Sequence, residues 1–225
     1  MTKREIIYLV LERLNARSDD SNPTEELVSS LIDVKRSMIL KQRFSKAQWN
    51  IPIELRQEIC MDVSLYDVIS GYSGAGKILK TNNAVPSAIK IKGFSGPIMI
   101  RKEDGSSIPF NLIPIERLPY IGDNRYTAML TYATLDLDGR IILISKDEKL
   151  KFLKQIRVTD LFEKPDEAYN LECKDNNMSG IVEPWDITYP VESAMIDDIV
   201  KLVVQDLAKS LSIPEDKVNN ADGGR

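Results

Sequence analysis

Histidine is absent from all 225 residues. That removes the side chain that titrates nearest neutrality, the commonest metal ligand, and every Ser-His-Asp or Cys-His arrangement. Cysteine is scarce: Cys60 and Cys173 stand far apart, in neither metal-ligand nor disulfide-framework spacing. Both are expected to be small buried side chains and not reactive thiols. No apolar run approaches the ~20 residues that cross a bilayer. The opening stretch "MTKREIIYLVLERLNARS" is broken by Glu5, Glu12 and Arg13, so it is not a signal peptide. The expectation is a chain that stays in the cytoplasm where it is made. Aromatic residues form only 7% of the sequence. Trp49, Trp185, Tyr66, Tyr72, Tyr126 and Tyr132 show no alternation with Lys or Arg of the kind a base-stacking platform needs. A surplus of positive charge is also missing. The formal net charge of −4 argues against a chain dedicated to nucleic acid.

What is present suits a soluble globular chain: 43% hydrophobic and 28% charged residues, enough for a real core in one large or two small domains. Charge is unevenly placed. Residues 35–46, "KRSMILKQRFSK", hold five basic side chains and no acidic one, and Lys90, Lys92, Arg101 and Lys102 follow in residues 90–102. Residues 160–198 reverse the sign, with eleven carboxylates against Lys164 and Lys174. Each run alone reads as a solvated face. Together, a basic front and an acidic rear allow one copy to attract another head to tail.

The first 50 residues predict a helical hairpin. Thr2 and Glu5 form a capping box ahead of the stripe Ile6, Ile7, Val10 and Leu14. Asn22, Pro23 and Glu25 give a second start, with Leu27, Leu31, Val34 and Met38 as its apolar face, running to about Lys46. From about residue 57 the period becomes two: Ile59, Met61, Val63 and Leu65 alternate with Cys60, Asp62, Ser64 and Tyr66. Residues 51–165 are expected to form an irregular antiparallel β-region. "SAIKIKGF" and "PIMIRKEDGSSIPF" are read as two strands around a turn, with a second hairpin at "EDGS". A further hairpin turns on the two residues Asp138-Gly139, and "LKQIRVTDLF" is a further strand. Residues 166–188 are an acidic connecting segment. Residues 189–225 are a helix entered at Pro190, with Val191, Met195, Ile199 and Leu202 on one face, followed by a polar tail. Its apolar arc, widened by Ala194, Val203, Leu207 and Leu211, is broad enough to expect a contact outside its own domain.

Two short motifs suggest chemistry. "GYSGAGK" (71–77) has the spacing of a phosphate-binding loop, but Ile78 stands where Ser or Thr should hold magnesium. The preceding strand alternates, and "ILKTNNAVP" breaks before a helix can develop. "DLDG" (136–139) opens like a calcium loop but lacks the further oxygen ligands and closing glutamate. Neither reads as a working site, and no cofactor, metal or catalytic residue is assigned.

"IRVTDLFEKPDEAYNL" (156–171) resembles a strand, Phe-Glu-x-Pro turn and acidic continuation found in structural proteins of crAss-like phages. "YPVESAMIDDIVKLVVQDLAKSLSIPEDKVNNADGG" (189–224) is similar to their terminal helix and Asp-x-x-Asn tail. The order of elements looks like that of head–tail connector (adaptor or ring) proteins of short-tailed phages. The resemblance implies an α+β virion protein without catalysis or cofactor. It implies a homo-oligomeric ring, typically of twelve copies, stacked beneath the portal protein and joining it to the tail. Viral DNA would meet it only in sequence-independent passage through the lumen. The expected interface sets Lys41, Arg43 and Lys46 against Asp166, Glu167, Asp197 or Asp198 of the adjoining subunit. The tail, with Ile213, Lys217, Val218, Asn219, Asn220 and Arg225, is expected to dock on a portal or second ring protein. The other readings are a different tail or baseplate component, a nucleotide-using enzyme built on 71–77, and a DNA-binding module built on 35–46 and 90–102.

Overall fold

The capping box forms as expected. Glu5 Oε2 accepts from the Thr2 N–H at 2.9 Å, and Thr2 Oγ1 accepts from the Glu5 N–H at 3.2 Å. Two N–H groups that the first turn leaves unpaired are satisfied reciprocally, and helix α1 (Lys3–Asn15) follows. The computed structural model describes residues 1–15, 23–44, 51–67, 77–91, 97–103, 108–120, 129–145, 148–173 and 183–211. Helix α2 (Glu25–Phe44) is capped by Thr24, whose Oγ1 accepts from the Leu27 N–H. The cap therefore sits at Thr24, not at Asn22, which lies outside the described residues.

The buried face of α2 is not the expected one. Val28, Ile32, Leu40 and Phe44 point inward, while Leu27 is 49% and Val34 57% exposed, with Leu31 and Met38 half-buried. Both stripes have helical spacing. The inward one also carries Ser29, Asp33, Arg36 and Ser37, and those polar residues hid it from a reading that looks for apolar periodicity. Asp33 accepts from Lys3 and Tyr189, and Arg36 donates through Nε and Nη1 to the Pro190 and Phe162 carbonyls, with Nη2 left without a partner. Burying these two residues is tolerated because most of their polar atoms are paired.

Helix α4 (Ser193–Leu211) packs against both α1 and α2. Met195, Ile199, Val200, Val203, Val204 and Leu207 are all buried, and they join Ile6, Ile7, Val10, Val28, Ile32 and Leu40 in one core. The wide apolar arc of α4 thus serves two helices of its own chain. The helix starts at Ser193 and not at Pro190, because the approach is pinned: the Tyr189 N–H donates to the Met1 carbonyl, and the Pro190 carbonyl accepts from Arg36.

The strands are β1 (Gln57–Asp67), β2 (Lys77–Thr81), β3 (Met99–Lys102), β4 (Asn111–Leu112), β5 (Tyr132–Leu135), β6 (Ile141–Ile144) and β7 (Gln155–Asp160). They form one seven-stranded sheet in the order β3-β7-β1-β2-β6-β5-β4. β1 is the hinge between its halves: Gln57–Asp62 pair with β7, and Val63–Asp67 pair with β2. The sheet is mixed and not wholly antiparallel, since β4 runs parallel to β5. Ile59, Met61 and Val63 are buried as their alternation predicts, with Ile100, Leu143, Ile156 and Val158 in a second core.

Residues 87–91 do not form the expected hairpin with 97–110. Ala88 bridges Phe162, and the Ile89 N–H donates to the Leu161 carbonyl, so the segment extends β7 and sends Ile89 and Ile91 into the helical core. The 104–107 turn lies outside the described residues. The β5–β6 hairpin forms, but over three residues: Asp136 pairs with Arg140 through the backbone, and Gly139 takes φ +76°. That is a type I turn closed by a left-handed glycine, the usual three-residue solution.

Helix α3 (Pro165–Tyr169) leads to the largest correction. Cys60 and Cys173 form a disulfide, with Cα atoms 4.8 Å apart. The Cys60 N–H donates to the Leu171 carbonyl and Ile59 bridges Glu172, which sets the two cysteines side by side. A sequence separation of 113 carries no spacing signal. Only the return of the chain to β1 makes the pair.

Candidate functional site

The phosphate-loop spacing joins two antiparallel strands. Residues 71–76 lie outside the described residues, but Lys77 opens β2, which pairs back on β1 with Asp67 opposite Lys77. A phosphate loop needs a helix N-terminus at this point to aim its N–H groups. Here a strand follows instead. At "DLDG" a lysine occupies the place a cation would take: Lys80 Nζ lies 2.6 Å from Asp136 Oδ2 and 3.0 Å from Asp138 Oδ2. These bonds raise the Lys80 pKa, and the Lys80 bond lowers that of Asp138. Among the described residues no cluster of three or more His, Cys, Asp or Glu could hold a metal, and no helix is long and apolar enough to cross a membrane.

The densest polar constellation lies where both helical termini meet the sheet. The Lys3 ammonium, 1% exposed, donates to Asp33 at 2.9 Å and to Asp166 at 2.5 Å. The Tyr189 hydroxyl donates to Asp33 Oδ1 at 2.7 Å. Arg36, wholly buried, donates to the carbonyls of Phe162 and Pro190, both at 2.8 Å. The Tyr189 ring lies between the two cations, 5.6 Å from the Arg36 guanidinium and 5.9 Å from Lys3 Nζ, within reach of cation–π attraction. Burial pushes the Asp33 carboxyl up, while Lys3 and the Tyr189 hydroxyl pull it back. Burial likewise holds the Tyr189 phenol protonated. Arg36 Nη2 is buried without a hydrogen-bond partner, but the remaining bonds make the cluster a clasp joining α1, α2, α3 and the approach to α4.

Sequence reasoning missed these residues because each is isolated in the chain. The usable signal was Asp33 and Arg36, three apart on the same side of α2 as Ile32 and Leu40.

The basic and acidic runs meet inside one chain. Lys35 pairs with Asp206, Lys41 with Glu163 at 3.3 Å, and Arg43 with Glu192 at 2.8 Å. Of the acids expected at an interface, Asp166 is bound to Lys3, and Glu167 to Lys164 at 2.7 Å. Asp197 binds Arg13 at 2.8 Å and Lys201 at 2.5 Å. Asp198 is exposed. Lys46 and the tail residues Ile213, Lys217, Val218, Asn219, Asn220 and Arg225 lie outside the described residues.

Beside α2 runs an open groove of about 530 Å³, lined by Ser30, Val34, Met38, Lys41, Glu163 and Lys164 among others. Val34 and Met38 are its apolar lining, and Lys41 and Lys164 share it with the carboxylates of Asp33 and Glu163. Such a surface suits protein contact better than turnover of a small molecule.

Comparison with known proteins agrees. The family described as phage tail ring protein 2 matches residues 5–223. Ring protein 2 of Bacteroides phage crAss001 is 31% identical over 222 residues, covering 98% of this chain and 96% of that protein.

Proposed function

Because this chain belongs to the phage tail ring protein 2 family, a structural family of the virion whose members assemble with other tail proteins, we propose that its copies close a ring joining the portal to the tail. The ring has twelve subunits and continues the channel through which DNA passes, without reading its sequence. The observation that supports this reading is the family match over residues 5–223, nearly the whole chain. The resemblance of residues 156–171 and 189–224 to connector proteins supports the position at the neck.

Register between copies is set by the two charge sets. In the intrachain pairs of Lys41, Arg43 and Asp197 every side chain is exposed by 40–49% except Glu192, at 19%, and exposed ion pairs are weakly held. They exchange cheaply for a neighbour's Asp166, Glu167, Asp197 or Asp198, with Lys46 adding to the basic set. Residues 213–225 dock on the portal or a second ring.

Electron microscopy of purified particles tests the reading. A twelvefold ring of this chain directly beneath the portal is the expected result. A ring elsewhere in the tail would keep the family and discard the connector. Particles lacking residues 213–225 should lose the attachment but retain folded chain.

A further inference from the structure

We propose that the Asp160 side chain is held as the carboxylic acid and donates its proton to Gln57 Oε1, so that the pair latches β1 to α3 and rising pH releases it. The inference stands on the fold alone and does not depend on the ring reading. It starts from a missing donor. Among the described buried side-chain atoms, Arg36 Nη2, Arg56 Nε, Thr134 Oγ1 and Gln57 Oε1 lack a hydrogen-bond partner. The two arginine nitrogens can only donate and a hydroxyl can do either, whereas an amide oxygen can only accept. Leaving such an oxygen buried and unmet is costly.

The missing donor stands directly across the ladder. Gln57 and Asp160 are opposite one another in the antiparallel β1–β7 pair, which puts their side chains on one face with Cβ atoms about 5 Å apart. That face is the buried one: Ile59 and Met61 continue it on β1, and Ile156 and Val158 on β7. Asp160 is 5% exposed, and its Oδ1 accepts from the Leu161 N–H, which leaves Oδ2 to carry a proton. The Gln57 amide cannot solve the problem by turning round. Its Nε2 donates to the Pro165 carbonyl at 3.2 Å, and a carbonyl offers only acceptor lone pairs.

Charged neighbours do not compete for the carboxyl. On β1, Arg56 donates to the Ile51 carbonyl, and Glu58, one residue along and so on the other face, pairs with Arg157 of β7. Arg101 and Lys102 of β3 stand opposite Arg157 and Ile156, toward the far end of the strand. On α3, Asp166 binds Lys3 and Glu167 binds Lys164. Beyond β7, Glu163 binds Lys41, Arg36 reaches the Phe162 carbonyl, and Lys90 is exposed. Burial therefore dominates, lifting the carboxyl from 3.8 to about 7, with the Leu161 N–H opposing it. Once Asp160 ionises, its carboxylate and Gln57 Oε1 face each other as two acceptors. The amide answers by turning its N–H toward Asp160, and the Pro165 carbonyl, at the first residue of α3, loses its bond.

Hydrogen exchange of the full chain tests the latch, followed by mass spectrometry in the peptide that carries the bonded Ala168, Asn170 and Leu171 N–H groups. Rates are compared at pH 6 and pH 8 after correction for intrinsic exchange. The latched state holds a proton that the open state has released, so opening in the parent should rise by up to about tenfold between the two. Asp160→Asn keeps an N–H for Gln57 and an acceptor for Leu161, so its α3 should stay equally protected at both values. Gln57→Met removes the acceptor and the Pro165 donor together, and should open at pH 6 at least as readily as the parent does at pH 8. Equal protection of the parent at both pH values would overturn the latch. So would a rise that survives in Asp160→Asn, or a Gln57→Met profile that matches the parent's.

Discussion

Asp33 and Asp160 are both buried, yet their surroundings differ in kind. Asp33 is met by an ammonium and a phenol, whereas Asp160 is held by the Leu161 N–H at 2.7 Å. Removing Asp33 leaves the Tyr189 hydroxyl without its acceptor and Lys3 with half its charge compensation. Asp33→Ala is expected to cost about 3–5 kcal/mol in urea unfolding, the usual result of breaking a buried pair from one side. Tyr189→Phe should cost only about 1 kcal/mol. At Asp160, burial pushes the carboxyl from 3.8 up to about 7. Between those values the folded chain holds a proton that the unfolded chain has released. Stability therefore falls as pH rises through that window, by up to about 1.4 kcal/mol per unit, and levels off above it. Asp160→Asn keeps the acceptor for Leu161 and should flatten this contribution, making the variant more stable than the parent at pH 8. Thermal melts at pH 5 and pH 8 check it: a parent-like slope in the variant would assign the dependence elsewhere.

Among the elements, α2 separates what periodicity reveals from what it conceals. The helix itself, its partner α1 with the Thr2–Glu5 box, and the alternation of β1 were legible, since local spacing and caps fix them. Which stripe of α2 turns inward was not, because the buried Asp33 and Arg36 find their hydrogen-bond partners in Lys3, Tyr189, Phe162 and Pro190, all distant in the chain. The parallel β4–β5 pair and the strand-like use of 87–91 were hidden for the same reason: pairing partners are a tertiary choice. Charge runs were legible as composition, but their meeting within one chain was not. Alanine substitution distinguishes the two faces of α2. Leu40→Ala, at a fully buried position, is expected to cost about 2–5 kcal/mol. Leu27→Ala should cost no more than about 0.5 kcal/mol, and equal costs would reverse the assignment of faces.

For the whole molecule, the disulfide and the terminal helix matter most. The Cys60–Cys173 bond suits a component of the virion, since such bonds persist at exposed particle surfaces and are rare in cytosol. It closes a loop spanning most of the sheet, so Cys60→Ser is expected to lower stability by about 2–4 kcal/mol. Melts of the parent with and without reductant should show the same loss. A parent indifferent to reductant would mean that the bond contributes nothing. The order of synthesis adds a constraint. Sheet strands leave the ribosome before residues 193–211, whereas the core shared by α1 and α2, to which Ile89, Ile91 and Leu161 also contribute, stays incomplete until α4 arrives. A nascent or truncated polypeptide therefore displays sticky helices that completed subunits conceal, which makes it a target for chaperones and proteases.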